Sequence, residues 1–168
     1  MKISKTLYDI AWAFTVAMIL RIVFGYFLGT NFPFVAVMSN SMTHDAHTVQ
    51  NYYVWMQNYG FSRDTLDDFP LSRGFDKGDA LIIASPKGAG VGDIVVYVNP
   101  NVGYAIIHRV INVTETGYVT KGDRNPSPDP WIVEESWVKG KSLLLIPLLG
   151  WIRVLPTEII GAITGLLS

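Results

Sequence analysis

From Ile10 to Leu28 the chain is nearly all apolar, with Arg21 as its one charged residue. A helix rises about 1.5 Å per residue and about 20 residues cross a hydrocarbon core, so this run is just long enough to span a bilayer. It has no polar face, unlike an amphipathic surface helix. It is long for the apolar part of a secretory signal, and no clear small-x-small cleavage site follows it. The run is therefore read as a retained membrane anchor, with a cleaved signal and a buried core helix as the competing readings. Tyr8 and Trp12 near one end, and Tyr26 and Phe27 near the other, suit the two interfaces. Arg21 must snorkel, find a protein or water partner, or mark a shorter span. Lys2 and Lys5 precede the run with only Asp9 opposing them, which puts that end in the cytoplasm and everything after Phe32 outside the membrane.

Composition agrees with a membrane protein. Charged residues make up 16% of the 168 residues, well below the roughly 25% usual for globular chains. The net charge of −1 and the lack of any Lys/Arg run argue against a nucleic-acid partner. There is no cysteine, which excludes disulfides, thiolate chemistry and cysteine-based zinc sites.

The middle of the chain reads as an antiparallel sheet. Ala80–Ala84, Asp93–Val98, Tyr104–Asn112 and Gly117–Lys121 have strand length and are bounded by Gly, Pro or Asn. The separators are too short for helical crossovers. Between Met42 and Gly78 the pattern changes. Val49, Tyr52, Tyr53 and Met56 recur at helical spacing before Gly60, and Ser62 can cap a second short helix ending before Pro70. The fold expected is mainly β, with an N-terminal transmembrane helix and a small helical insertion. Packing on the sheet and a membrane- or substrate-facing role are both open for the aromatic residues of that insertion. At the C-terminal side, Ser142–Ile152 is read as a final strand. Ile159–Leu167 is read as a tail lying on or dipping into the bilayer, with a second membrane helix as the alternative. The organisation expected is an anchor over 1–32, a β-rich domain over 33–153 with its insertion at 43–75, and a tail over 154–168.

With no thiol, a nucleophile must be Ser, Thr, a carboxylate or metal-held water, so the three histidines carry the information. His108 shares a strand face with Ile106 and Val110, which fits a core histidine as well as a general base. His44 and His47, flanking Asp45, suggest a metal pair, but no third ligand and no HExxH motif accompany them. Asp123 and Asp129 lie in a Gly- and Pro-rich loop that can hold a carboxylate rigidly, or simply make turn hydrogen bonds.

Five motifs in order change these weights: Ser39-Asn40-Ser41-Met42 after the anchor, then Gly78-Asp79-Ala80-Leu81-Ile82, Gly92-Asp93-Ile94-Val95-Val96-Tyr97, Ile107-His108-Arg109-Val110 and Thr120-Lys121-Gly122-Asp123. The chain resembles the signal peptidase I family from about Phe34 to Lys141, apart from the insertion. It is most similar to the branch of archaea and the endoplasmic reticulum, which carries His where the usual bacterial enzyme carries Lys. Ser-Met-Thr-His and the insertion look most like euryarchaeal members. The resemblance implies a membrane-bound serine endopeptidase that removes signal peptides from exported preproteins. Ser41 matches the nucleophile, His108 the general base and Asp129 the acid that orients it. Asp123 matches the Gly-Asp carboxylate that supports the site or competes for the orienting role, and Ser39 matches an oxyanion-assisting hydroxyl. It also implies preproteins, the lipid bilayer and the translocation machinery as partners, the cell membrane as location, and no cofactor or metal. The rival readings are a non-catalytic anchored binding module of the same fold and a metal-dependent hydrolase using His44 and His47. The chain departs from the family's common pattern where Asn40 replaces Gly and where Thr43-His44 follow Met42 in place of an acidic residue and Pro. Asn tolerates left-handed backbone, so the expectation is that the turn survives.

Overall fold

The computed structural model describes residues 4–46 and 48–166. Helix α1 (Lys5–Leu28) holds the apolar run, with Ser4 accepting from Leu7 N–H at its start and Gly29 at φ 65° closing it. None of its residues is buried, and among the described helices it alone is long and apolar enough to cross a membrane. Arg21 turns toward the end of the run, where its guanidinium donates to the Asn31 carbonyl at 3.1 Å. This is a protein partner, one of the three readings that the lone charge allowed. The helix end is clamped to the sheet by two hydrogen bonds. Ser85 N–H donates to Leu28 O at 2.7 Å, and the Thr30 hydroxyl donates to Lys139 O at 2.7 Å.

Among the described residues six strands form one sheet: β1 (Phe34–Ala36), β2 (Ala80–Ala84), β3 (Ile94–Val98), β4 (Ala105–Thr114), β5 (Gly117–Lys121) and β6 (Val138–Ile146). Their order is β1-β2-β6-β3-β4-β5 and every pairing is antiparallel. The mainly β reading is correct, and β2 and β5 coincide with the expected strands. The last strand does not. It starts at Val138, ahead of the obvious apolar run, because Gly140 and two lysines mask an alternation in which Val138 and Gly140 point inward. Pro147 lacks the N–H that would continue the ladder, and Leu148 turns the chain at φ 63°. Helix α4 (Trp151–Leu166) comes next, with Pro156 inside it.

Alternation gives the sheet two covered faces. Val95, Tyr97, Val110 and Tyr118 pack with Val133 and Val138 on one. On the other, Leu81, Ile83, Ile94 and Val96 pack with Val37, Met42 and Phe75. The insertion forms helices α2 (Val49–Asn58) and α3 (Arg63–Asp67), the latter capped by Ser62. Tyr52, Met56 and Leu66 are buried against Ile111, so the insertion's inner stripe is core.

Candidate active site

Ser41 follows β1 in a turn closed by Thr43 N–H donating to Asn40 O at 3.2 Å. Its neighbour Met42 is 1% exposed and plugs into the core, which fixes the serine at the surface of the sheet. The turn survives the Gly-to-Asn change for another reason than left-handed backbone. Among the described residues the only positive-φ positions other than Gly are Leu71 and Leu148. Asn40 instead accepts Lys77 N–H on Oδ1 at 3.2 Å. The Ser41 hydroxyl lies 3.2 Å from that of Ser39.

His108 sits in β4 opposite Val95 and is 7% exposed. Its Nδ1 lies 2.8 Å and 3.0 Å from the two oxygens of Asp129. Nε2 has no hydrogen-bond partner among the described residues and lies so close to Gly122 that a Cβ there would stand 2.8 Å from it. With Asp129 as acceptor, the hydrogen belongs on Nδ1 and the Nε2 lone pair is left available. Asp129 N–H donates to Thr120 O at 2.8 Å, which returns the Pro-rich loop to β5. The carboxylate also accepts from Tyr97 Oη at 2.9 Å and from the Thr120 hydroxyl, and Trp131 Nε1 braces Tyr97 at 3.2 Å. Burial pushes the Asp129 carboxyl up, but the hydrogen bonds from His108, Thr120 and Tyr97, with the electrostatic attraction of the His108 ring, more than reverse this and hold it below its usual range.

Asp123 goes elsewhere. Arg109 grips it with Nε at 3.0 Å and Nη2 at 2.8 Å, and His44 Nε2 lies 3.0 Å from Oδ2. Burial works against its charged form, yet the Arg109 charge and the His44 hydrogen bond keep the carboxyl below its usual range. Lys121 donates to the carbonyls of Gly122 and Asp123, and burial lowers its pKa to about 8. Hence His108 and Arg109, adjacent in β4, send the two aspartates to opposite faces of the sheet. His44 is committed to Asp123, and its proposed metal partner His47 lies outside the described residues. Among the described residues no group of three or more His, Asp or Glu converges on one point.

Ser39, Ser41, His108 and Asp129 line one cleft of about 750 Å³, whose other walls include Phe34, Val35, Met38, Tyr104, Ile106 and Trp131. Sequence reasoning missed Tyr97, Thr120 and Gly122. The first two share the His108 face by alternation, and a buried Tyr needs a partner for its hydroxyl. For Gly122 the signal is a glycine directly before a loop aspartate.

The chain thus combines an N-terminal helix long and apolar enough to cross a membrane, an antiparallel sheet, and a cleft lined by two serines and a His–Asp pair. The chain is 30% identical over 138 residues to the signal peptidase complex catalytic subunit sec11 of Schizosaccharomyces pombe, a match covering 75% of this chain and 68% of that protein. It belongs to the signal peptidase I family. No protein-family model matches the chain.

Proposed function

We propose that the chain is a membrane-anchored serine endopeptidase that cleaves signal peptides from exported preproteins. The observation that carries this reading is the buried His108–Asp129 pair on the same cleft as Ser41. Membership of the signal peptidase I family supports it. His108 Nε2 takes the Ser41 proton as the hydroxyl attacks the scissile carbonyl. Asp129 holds the imidazole tautomer and stabilises the imidazolium, while Ser39 assists at the oxyanion. The imidazolium then protonates the leaving amine. Water, deprotonated in turn by His108, hydrolyses the acyl-enzyme and releases Ser41.

The substrate docks as an added strand. Pro33 and Val37 direct their backbone groups to the β2 side: Ile83 N–H donates to Pro33 O, Val37 N–H to Asp79 O and Gly78 N–H to Val37 O. By alternation, Phe34, Ala36 and Met38 turn theirs the other way, and all three line the cleft. The anchor supplies the location. Phe32 and Phe34, soon after the end of α1, line the cleft, so a signal peptide crossing the bilayer presents its extended end there. We read residues 1–32 as cytoplasmic end and anchor, 33–153 as an extracytoplasmic peptidase domain, and 154–168 as a tail on the membrane. The exposed Ile152, Leu155, Ile159 and Ile163 of α4 support the last of these.

The test uses the purified chain in liposomes with a preprotein substrate. Wild type should release a single product, and Ser41→Ala and His108→Ala should each reduce the rate by roughly 10⁴-fold or more. Cleavage unchanged in either variant defeats the serine mechanism. Activity lost to a chelator in wild type favours the metal reading, and a fully inactive wild type favours the binding-module reading. Topology is tested separately. The chain has no cysteine, so a single cysteine at Thr116 should react with an impermeant maleimide from outside intact cells, whereas one at Lys5 should not.

A further inference from the structure

We propose that His44 is a positioning residue for this reaction: through Asp123 it fixes the segment carrying Ser41 against the loop carrying Asp129. The inference rests on the peptidase reading above. Three hydrogen bonds join residues 41–44 to residues 123–124. Arg124 N–H donates to Ser41 O at 2.9 Å, Asp123 N–H reaches Met42 Sδ at 3.5 Å, and His44 Nε2 meets Asp123 Oδ2 at 3.0 Å. The first two have backbone donors that almost any sequence would provide. Beside them Arg124 Nη2 lies 3.5 Å from Asp45 Oδ2, but that pair is about two-fifths exposed, whereas His44–Asp123 is buried, with side chains 4% and 1% exposed.

The place is built for an imidazole. The His44 side chain is 4% exposed and its ring lies 4.5 Å from that of Tyr52, centroid to centroid. Gly74 packs over it so tightly that a Cβ would stand 2.8 Å from Cγ and Cδ2. Its Nδ1 is buried with no hydrogen-bond partner among the described residues. A hydrogen there would be an unpaired buried donor, so it belongs on Nε2, facing the carboxylate. Asp123 in turn is held by Arg109 Nε and Nη2, and Arg109 is next to His108 in β4. The chain of contacts therefore runs from the strand bearing the base, through Arg109, Asp123 and His44, to the segment bearing the nucleophile. It reaches Ser41 and His108 without touching the cleft, since neither His44 nor Asp123 lines it.

A positioning role predicts a loss in kcat with little change in KM. His44→Met fills similar space but cannot donate, whereas His44→Gln places an N–H at similar reach. In the full chain in liposomes, His44→Met should lower kcat by about 10- to 100-fold, the cost of a misplacement near 1 Å, with KM within about threefold. His44→Gln should recover most of the rate. Hydrogen exchange at the Arg124 amide should be faster in His44→Met than in wild type and His44→Gln, at a temperature where all three are folded. If the Met variant does not fold, His44→Leu takes its place. An unchanged kcat in the non-donating variant, or equal losses in it and in His44→Gln at matched Tm, would overturn the proposal. If Ser41→Ala cleaves as well as wild type, the peptidase reading fails instead. The exchange measurement then still decides the link: protection lost only without a donor at position 44 sustains it, and unchanged protection refutes it.

Discussion

Asp123 and Asp129 leave the same loop for different partners. Asp129 meets His108 and Asp123 meets Arg109, on opposite faces of β4. The two should therefore fail in different ways. Asp129→Asn should leave the chain folded and lower kcat by roughly 10³- to 10⁴-fold, because the imidazole loses the acceptor that fixes its tautomer. Asp123→Ala should cost about 3–5 kcal/mol, because it strands a buried guanidinium, and thermal unfolding will read this directly. Both carboxyls are held below their ordinary value, so the stability they contribute is complete above about pH 4 and is lost as pH falls through their folded-state values. The advantage of wild type over Asp123→Ala should accordingly shrink on acidification. An unfolding profile in which the two variants behave alike contradicts this division. The sequence named both aspartates but could not assign them. Alternation separates His108 from Arg109, yet which carboxylate reaches which face depends on the path of a loop containing Pro126, Pro128 and Pro130. His108 is buried and hydrogen-bonded at Nδ1, as a core histidine is, while its Nε2 stays unpaired, as the proposed base role requires.

Elements were legible where turn residues bound them. Gly and Pro frame β2 and β5, and the 3.6-residue stripe of Tyr52, Met56 and the capping Ser62 mark α2 and α3. The C-terminal region was not, because Gly140 hides the start of β6 and Pro156 argues against a helix that nonetheless forms. What holds α4 is tertiary. Trp151 packs on Gly78, where a Cβ would stand 2.1 Å from the indole Nε1, and Val154 is fully buried. Gly78→Ala should therefore undock the start of α4. Gly60 gives the control: its φ of 93° resembles the 97° of Gly78, but nothing lies within 4 Å of its Cβ position. Gly60→Ala should cost only backbone strain of about 1–2 kcal/mol, and Gly78→Ala distinctly more. Equal falls in Tm would show that Trp151 does not dock α4.

At the scale of the whole molecule, groups far apart in the chain and in the sheet order line one cleft. Inserting β6 between β2 and β3 carries β1 and Ser41 on one side and β4 and β5, with His108 and the Asp129 loop, on the other. Residues from both sides line the cleft, as do Phe32 and Phe34, soon after the end of α1. No local pattern could reveal this convergence, which is why the motifs were informative only in combination and in order. In the proposed mechanism Ser41, His108 and Asp129 act as one catalytic unit. Groups that act as a unit are grossly non-additive when removed. The most direct test is single-turnover cleavage of a preprotein by Ser41→Ala, His108→Ala and the double variant. All three should fall to the same background within a few-fold. Losses that multiply in the double variant, or substantial cleavage by Ser41→Ala, would contradict it.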